Sequence, residues 1–265
     1  MFDIGFQGLT KRILLLTLNA ILALGMNCND SALLDIVNAD NSVNTVKDHD
    51  GLDSDDLSTE PTYLLEFDEL DLSSIPEYDG EPYCVINDNI PYFTEEDKLN
   101  PVFEYYSELD ELGRCGVATA NLSKELMPTE ARGSIGQIKP TGWHTIKYPD
   151  LISDLYLFNR CHLIAFSLAG ENANERNLIT GTRYMNATGM QMFESTVASY
   201  VEFAGGRVLY RVTPCFDGDD LVARGVHMEG LSLDDDGERI CFNVFLYNVQ
   251  PGIVIDYATG ESHEE

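Results

Sequence analysis

The stretch FNRCHLIAFSLAGENANERNLITGTRYMNATGMQMFES, residues 158–195, combines a strand pattern, a turn-rich connection and the beginning of a helix pattern. Aromatic and aliphatic residues alternate through DLYLFNRCHLIAFSL, which predicts a strand that runs into a turn, with NRCH at or just past the strand end. Further on, MQMFESTVASYVEFA repeats apolar side chains at helical spacing. The sequence therefore predicts a polar NRCH group at a strand end, followed by an amphipathic helix.

The flanking segments indicate a mixed α+β fold without internal repeats. After the helix, GRVLYRVTPCF, DDLVARGVHMEGLSL and RICFNVFLYNVQPGIVIDY have the pattern of three strands in an antiparallel meander. Before residue 158, EPYCVINDNIPYF has two short apolar pieces around a turn, which predicts a strand pair. NPVFEYYSELDEL has apolar residues at helical intervals, which predicts a helix. We expect the folded domain to begin near Ile75.

The chain carries a formal net charge of −29, which by itself argues against a nucleic-acid partner, because phosphate binding relies on Lys and Arg. The charge is unevenly distributed. Residues 114–211 contain ten basic and eight acidic residues, whereas the segments before and after them are strongly acidic. The basic residues of this window are Arg114, Lys124, Arg132, Lys139, Lys147, Arg160, Arg176, Arg183, Arg207 and Arg211. This local inversion, which includes NRCH, favours a site that binds an anion.

The N-terminal residues have the pattern of an export signal. Lys11 and Arg12 precede the apolar run ILLLTLNAILALG, which is short for a membrane span but fits a signal peptide over residues 1–25. Lipid attachment at Cys28 is the alternative, but the preceding Met26 and Asn27 are larger than such a site prefers, so secretion without a stable membrane span is favoured. We expect an acidic disordered linker at residues 26–72, the folded domain at 73–256 and an acidic tail at 257–265.

The cysteine spacing argues against a structural zinc of the finger or ribbon type, because the chain has six cysteines and no CxxC pair. An exported chain can form disulfides, but the spacing does not reveal their connectivity.

Four polar residues of the central stretch form a candidate site: His162 at the strand end, Asn186 near the helix start, Glu194 eight residues further on, and Asn177 nine before Asn186. Each has an ordinary structural explanation when it is taken alone, such as a core histidine, a turn asparagine or a solvated helical acid. Their joint occurrence around a strand end favours a catalytic site.

The same stretch resembles the active-site segment of the DNA/RNA non-specific endonucleases, particularly the DNA-entry and streptococcal secreted DNases. ELGRCGVATANL and KPTGWHTIKY are also similar to this group, so the resemblance covers roughly residues 75–255. It implies the ββα-metal (His-Me finger) fold with a central, mainly antiparallel sheet. The broader family has Asp-Arg-Gly-His where this chain has NRCH. An Asn at position 159 still accepts a hydrogen bond, and the lost charge bears on the pH optimum more than on activity.

The resemblance implies a role for each candidate. His162 is the general base, Arg160 stabilises charge on the phosphate, and Asn186 holds one Mg²⁺, for which Mn²⁺ can substitute. Asn159 and Glu194 complete the catalytic group, and Asn177 helps to orient it. Weaker candidates for contacts with the substrate are Arg183, Gln191, Arg132 and Lys139. Cys161 is interpreted as a tolerated small side chain and not as a nucleophile.

The function implied by the resemblance is that of a secreted, Mg²⁺-dependent, non-specific endonuclease that cleaves DNA, and RNA as a further substrate, to 5′-phosphate ends. One alternative is an exported binding or adhesion protein on a nuclease scaffold with little or no activity. Another is an exported toxin with the same chemistry, which would have an immunity or inhibitor protein as its partner.

Overall fold

The computed structural model describes residues 70–265, so the expected signal peptide and nearly all of the expected linker lie outside the described residues. The described strands are β1 (Tyr83–Val85), β2 (Phe103–Tyr106), β3 (Ala118–Leu122), β4 (Phe158–His162), β5 (Leu178–Thr182), β6 (Val208–Cys215), β7 (Gly225–Ser232), β8 (Cys241–Tyr247), β9 (Ile253–Ile255) and β10 (Ser262–Glu264). The α-helices are α1 (Glu95–Lys98), α2 (Phe166–Ala169) and α3 (Gln191–Ser199). π-helical turns at Met185–Met190 and Tyr200–Ala204 extend α3 at both ends.

The central sheet has six strands in the order β1-β8-β7-β6-β3-β2, and every neighbouring pair is antiparallel. The predicted meander is confirmed, because β6, β7 and β8 pair consecutively. The mixed class with a central antiparallel sheet is confirmed as well. Nearly every residue of these three strands is buried, since one face of the sheet packs against α3 and segment 86–101 contacts the other.

Two local predictions upstream of the site were wrong. EPYCVINDNIPYF does not pair with itself: β1 pairs with β8, and Asn87–Asn89 forms a 3-10 turn whose three residues all have positive φ. The segment predicted as a helix in NPVFEYYSELDEL contains β2, which pairs with β3. In both segments strand partners far along the chain decided the outcome, and in the second the short apolar run also fits either period.

Strands β4 and β5 form a separate antiparallel pair, and the chain passes from β5 almost directly into the π turn and α3. Thr182 at the end of β5 accepts a hydrogen bond from the N–H of Met185 at 3.0 Å, which begins the helix as a cap does. A side chain at Gly181 would meet Cβ of Cys161 at 2.7 Å, so glycine permits the close approach of the two strands here. The result is a compact ββα unit.

The ββα unit is fixed to the central sheet through its helix. The ring of Phe193 on α3 lies 5.1 Å from that of Tyr83 on β1 and 4.8 Å from that of Phe242 on β8. Edge-on and tilted aromatic contacts of this kind add to the free energy gained by burying the rings. The helix therefore has a fixed position relative to the sheet, and so do the polar residues that it directs towards β4.

The C-terminal residues, predicted as an acidic tail, include β10, which pairs with β9. The hydroxyl of Ser262 also lies 2.7 Å from that of Tyr148. Within residues 70–265, no helix is long and apolar enough to cross a membrane.

Candidate active site

A groove of about 800 Å³ opens between β4, the π turn, α3 and the loops before β4. Its lining residues include eight of the sequence-predicted candidates, namely Arg132, Asn159, Arg160, His162, Arg183, Asn186, Gln191 and Glu194. Three of these are arginines, and Glu194 is the one carboxylate among the lining residues. The groove is therefore positive inside a strongly acidic protein, as the charge inversion in the sequence predicts, and it suits an anionic ligand.

His162 ends β4 with its imidazole buried and bonded at both nitrogens. Nδ1 lies 3.2 Å from Nη2 of Arg132, and Nε2 lies 3.2 Å from the carbonyl oxygen of Asn172. A guanidinium only donates and a carbonyl only accepts, so the bonding pattern requires a proton on Nε2 and a lone pair on Nδ1. Burial, and then the charge of Arg132, lower the pKa of His162, which keeps the ring neutral at neutral pH.

Asn177 is fully buried behind the groove and fixes the backbone that follows His162. Its side-chain oxygen accepts a hydrogen bond from the N–H of Ile164 at 2.8 Å, and its side-chain nitrogen donates to the carbonyl of Ile164 at 3.0 Å. Its own carbonyl accepts from the N–H of Leu163 at 2.9 Å. These bonds continue the pairing of β4 and β5 by one step, so Asn177 holds the backbone next to His162 and does not line the groove.

Asn186 lies in the π turn and directs its amide towards β4. The thiol of Cys161 donates to its side-chain oxygen at 3.0 Å, and its side-chain nitrogen donates to the side-chain oxygen of Asn159 at 3.3 Å. The side chain is therefore held at both ends by the NRCH segment. Burial raises the pKa of the Cys161 thiol well above its ordinary value, so Cys161 is a neutral donor here and not a nucleophile.

Glu194 lies on α3, eight residues after Asn186, and lines the same groove. Burial raises the pKa of its carboxyl from 4.5 to about 7, and the charge of Arg132 opposes that rise. Within residues 70–265, Glu194 forms no ion pair. A half-buried carboxylate without a partner would be stabilised by a cation.

Arg160 lies on the groove wall with its guanidinium already engaged. It donates to the carbonyl oxygens of Ile138 and of Gly136, the latter at 2.9 Å, and it covers the ring of Trp143 at 4.1 Å. These contacts fix the loop around residues 136–143 against β4. A guanidinium has five N–H groups, so a phosphate contact by Arg160 stays a prediction that this geometry permits.

The remaining candidates occupy three different positions. Arg183 forms an ion pair with Asp154 at the rim of the groove, and Gln191 is exposed on α3 within the lining. Lys139 lines a separate, smaller cavity and not the groove, so its contact with a substrate stays a prediction. Tyr156 also lines the groove and was not predicted, because it lies in an irregular loop before the recognisable NRCH segment.

The oxygen donors in the groove fit a hydrated magnesium ion. No group of three His, Cys, Asp or Glu side chains suited to hold a metal occurs among residues 70–265. The groove instead offers the amide oxygens of Asn186 and Asn159 together with the carboxylate of Glu194. Mg²⁺ prefers oxygen ligands, keeps several of its waters and needs only one or two protein groups, whereas structural Zn²⁺ usually has four Cys or His ligands.

A strand that ends in a histidine, a second strand and a helix with an inward asparagine define the nuclease-type ββα unit. The description of the family model that matches residues 94–233 is DNA/RNA non-specific endonuclease, and the chain belongs to this family. A deoxyribonuclease of Streptococcus dysgalactiae subsp. equisimilis is 34% identical over 110 residues, which make up 40% of this chain and 32% of that protein. The match thus spans about a third of the length of the curated relative.

Two solved nucleases have similar structures. NucA from Streptococcus agalactiae, with a magnesium ion bound, is 28% identical with a TM-score of 0.59, over 69% of this chain and 90% of that one. The Sda1 nuclease with a bound zinc ion is 29% identical with a TM-score of 0.54, over 62% of this chain and 82% of that one. The ββα-metal fold expected from the sequence is confirmed by these similarities.

Proposed function

We propose that this protein is a metal-dependent endonuclease that hydrolyses phosphodiester bonds of DNA and leaves 5′-phosphate ends. The observation that carries the proposal is the neutral imidazole of His162, whose Nδ1 accepts a hydrogen bond from Arg132 in a groove lined by three arginines and Asn186. Attack of water on a phosphodiester needs a base for the water proton and positive groups around the phosphate, and this groove contains both.

His162 would take the proton from the attacking water at Nδ1. Its Nε2–H already donates to the carbonyl of Asn172, and this bond becomes stronger when the ring gains a positive charge. Without substrate, the guanidinium of Arg132 donates a hydrogen bond to the Nδ1 lone pair. A phosphate in the groove would attract this guanidinium more strongly than an imidazole does, so substrate binding would release the lone pair for the water.

Asn186 and Glu194 are the residues that would hold the metal ion. Asn159 and Cys161 orient the amide of Asn186, which leaves its oxygen with a second lone pair for a ligand. When bound there, Mg²⁺ would supply positive charge to the scissile phosphate and to the departing oxygen. The Mg²⁺ assignment is supported by the oxygen donor set; the two solved relatives hold different metals.

DNA as the substrate is supported by the similarity to a deoxyribonuclease and by the positive charge of the groove. The acidic residues elsewhere would repel nucleic acid from other surfaces, which would confine binding to the groove. Export is also part of the proposal and is supported by the signal-like pattern of residues 1–25, which lie outside the described residues. N-terminal sequencing of the protein from culture medium would test it.

A plasmid-nicking assay with the purified protein tests the proposed activity. We expect nicking with Mg²⁺ or Mn²⁺, none with a chelator, and 5′-phosphate ends that a ligase can seal. His162→Ala should abolish nicking while calorimetry still detects Mg²⁺ binding, whereas Asn186→Ala should weaken metal binding itself. Lys124→Ala, an exposed basic residue outside the groove, is the matched control and should behave like the wild type.

Two results would contradict this assignment. A folded wild-type protein that is inert with every divalent metal would favour the alternative of an inactive binding scaffold. An Asn186→Ala protein with an unchanged Mg²⁺ affinity would refute the metal-ligand role of Asn186 and leave the endonuclease activity to be judged separately.

A further inference from the structure

We propose that Tyr156 is a stacking platform for an unpaired nucleobase, so that the groove binds single-stranded nucleic acid on the β4 side of the catalytic group. This inference rests on the proposed function and adds a contact that single-stranded substrates make and duplex substrates do not. It is supported by the exposure of the Tyr156 ring, by the backbone that holds it, by the neighbouring Lys147 and by its place in the groove.

Tyr156 is the most exposed of the aromatic side chains that line the groove. It keeps 42% of its surface accessible, whereas Phe158 is 3% exposed and Trp143 and Phe166 are only partly exposed. An exposed aromatic ring in a positively charged groove can bind the flat face of a base. Stacking of this kind accepts every base, which suits an enzyme without sequence preference.

The backbone holds Tyr156 in a defined position. The preceding Leu155 has φ +71°, a left-handed conformation that side chains other than Gly, Asn and Asp rarely adopt. Hydrogen bonds maintain it: the N–H of Leu155 donates to the carbonyl of Ile152 at 2.9 Å, and the carbonyl of Leu155 accepts from the N–H of Tyr148 at 2.8 Å. Backbone strain of this kind often occurs at functional sites, and here it directs Tyr156 towards the groove.

A basic residue lies beside the ring, where it can bind the phosphate that each nucleotide carries next to its base. Lys147 forms a β-bridge with Tyr156, and its ammonium group lies 4.8 Å from the ring centroid. The cation therefore lies over one face of the ring, so a base would stack on the opposite face, and the ammonium group would attract the phosphate next to that base. One base and one phosphate could thus be recognised together.

Tyr156 lies at a distance from His162, so the stacked base would not be the one next to the cleaved bond. Tyr156 precedes His162 by six residues, which span at most about 20 Å of extended chain. That upper limit corresponds to roughly six nucleotide steps of a stacked strand. Inside a duplex both faces of each base are covered by the neighbouring bases, so a base that stacks on Tyr156 is an unpaired one.

The test compares Tyr156→Ala with Tyr156→Phe, which keeps the ring, and with Phe203→Ala, which removes a 78% exposed aromatic ring outside the groove. The substrates are single strands of about twelve and about four nucleotides and a duplex of about twelve base pairs, chosen from the estimated reach to Tyr156. For Tyr156→Ala we expect KM on the longer single strand to rise at least about fivefold. KM on the short strand and on the duplex should not change, and the other two variants should match the wild type on all three.

Binding measured without turnover separates this inference from the proposed function. In a His162→Ala background, fluorescence anisotropy should show the same loss of affinity for the labelled longer strand when Tyr156 is replaced by Ala. Equal affinities would overturn the stacking role, and so would an equal loss on all three substrates, which would indicate general damage to the groove. A wild type that cuts none of the substrates contradicts the endonuclease activity, while the anisotropy result still decides the role of Tyr156.

Discussion

Nη2 of Arg132 lies 3.2 Å from Nδ1 of His162, although thirty positions separate the two residues in the sequence. This bond determines which nitrogen of the imidazole carries the lone pair, because a guanidinium can only donate. Burial and the charge of Arg132 lower the pKa of His162, so the folded protein resists protonation of the ring. In the unfolded chain this histidine has its ordinary pKa of about 6.5 and takes up a proton more readily than in the folded protein. Protonation therefore favours the unfolded state, and the stability of the fold decreases as the pH falls below about 6.5.

Replacing Arg132 by Ala should move the acid limb of the pH profile of kcat/KM to higher pH. Without the guanidinium the pKa of His162 rises, and more of the base is protonated at a given pH. We also expect kcat/KM at its optimum to fall by about tenfold or more, since a charged hydrogen bond to phosphate is lost. Arg132→Lys, which keeps the charge, is the control. An unchanged acid limb in Arg132→Ala would show that burial alone controls the pKa.

Replacing Cys161 by Ala should weaken Mg²⁺ binding by about tenfold, a typical effect of removing a group that orients a metal ligand. The thiol donates to the side-chain oxygen of Asn186, and Ala cannot. Cys161→Ser keeps a donor of smaller size and should retain most of the affinity. Calorimetric titration with Mg²⁺ measures both variants, and equal affinities in Cys161→Ala and the wild type would contradict the positioning role.

Glu194→Gln should stabilise the metal-free protein at pH 8 by up to about 3 kcal/mol. The pKa of Glu194 is raised from 4.5 to about 7, so the folded state binds a proton that the unfolded chain releases, and stability falls as the pH rises between these values. Gln does not titrate and lacks this loss. Urea unfolding with a chelator at pH 8 and at about pH 4 measures the effect, which should disappear at the lower pH.

Glu202→Gln, an exposed acid in the π turn after α3, is the control for Glu194 and should have little effect at either pH. Added Mg²⁺ should stabilise the wild type at pH 8 more than Glu194→Gln, because a bound ligand stabilises only the state that binds it. Equal stabilisation of the two proteins would argue against a role of Glu194 at the metal.

Asn177→Ala should lower the melting temperature by roughly 5 to 15 °C, because the N–H and the carbonyl of Ile164 would be buried without partners. Asn174→Ala, which removes a single turn-capping bond, should have a much smaller effect. If Asn177 also positions His162, the activity that remains well below the melting temperature should be reduced as well. A variant that melts like the wild type would refute the structural role.

The parts of the site that are close together in the sequence were predictable from it. His162, Asn186 and Glu194 belong to the stretch 158–195, whose periodicity indicates a strand and a helix, and the family resemblance implies that the two meet. Arg132, which only the resemblance suggested, and Tyr156, which the sequence did not suggest, come from irregular loops, where no periodic pattern indicates which way a side chain points. The short strands β1 and β2 depend on partners far along the chain, so local spacing could not identify them.

Strand β1 covers the outer side of β8, and Asn89 just beyond it bonds to the backbone at Cys241 and Asn243. Residues 94–233, which match the family model, contain neither β1 nor β8. A protein trimmed to that range would leave the outer hydrogen-bonding groups of β7 open, and open sheet edges recruit strands from other molecules. The smallest monomeric form of this domain should therefore extend from β1 through β8, and shorter forms should aggregate on expression.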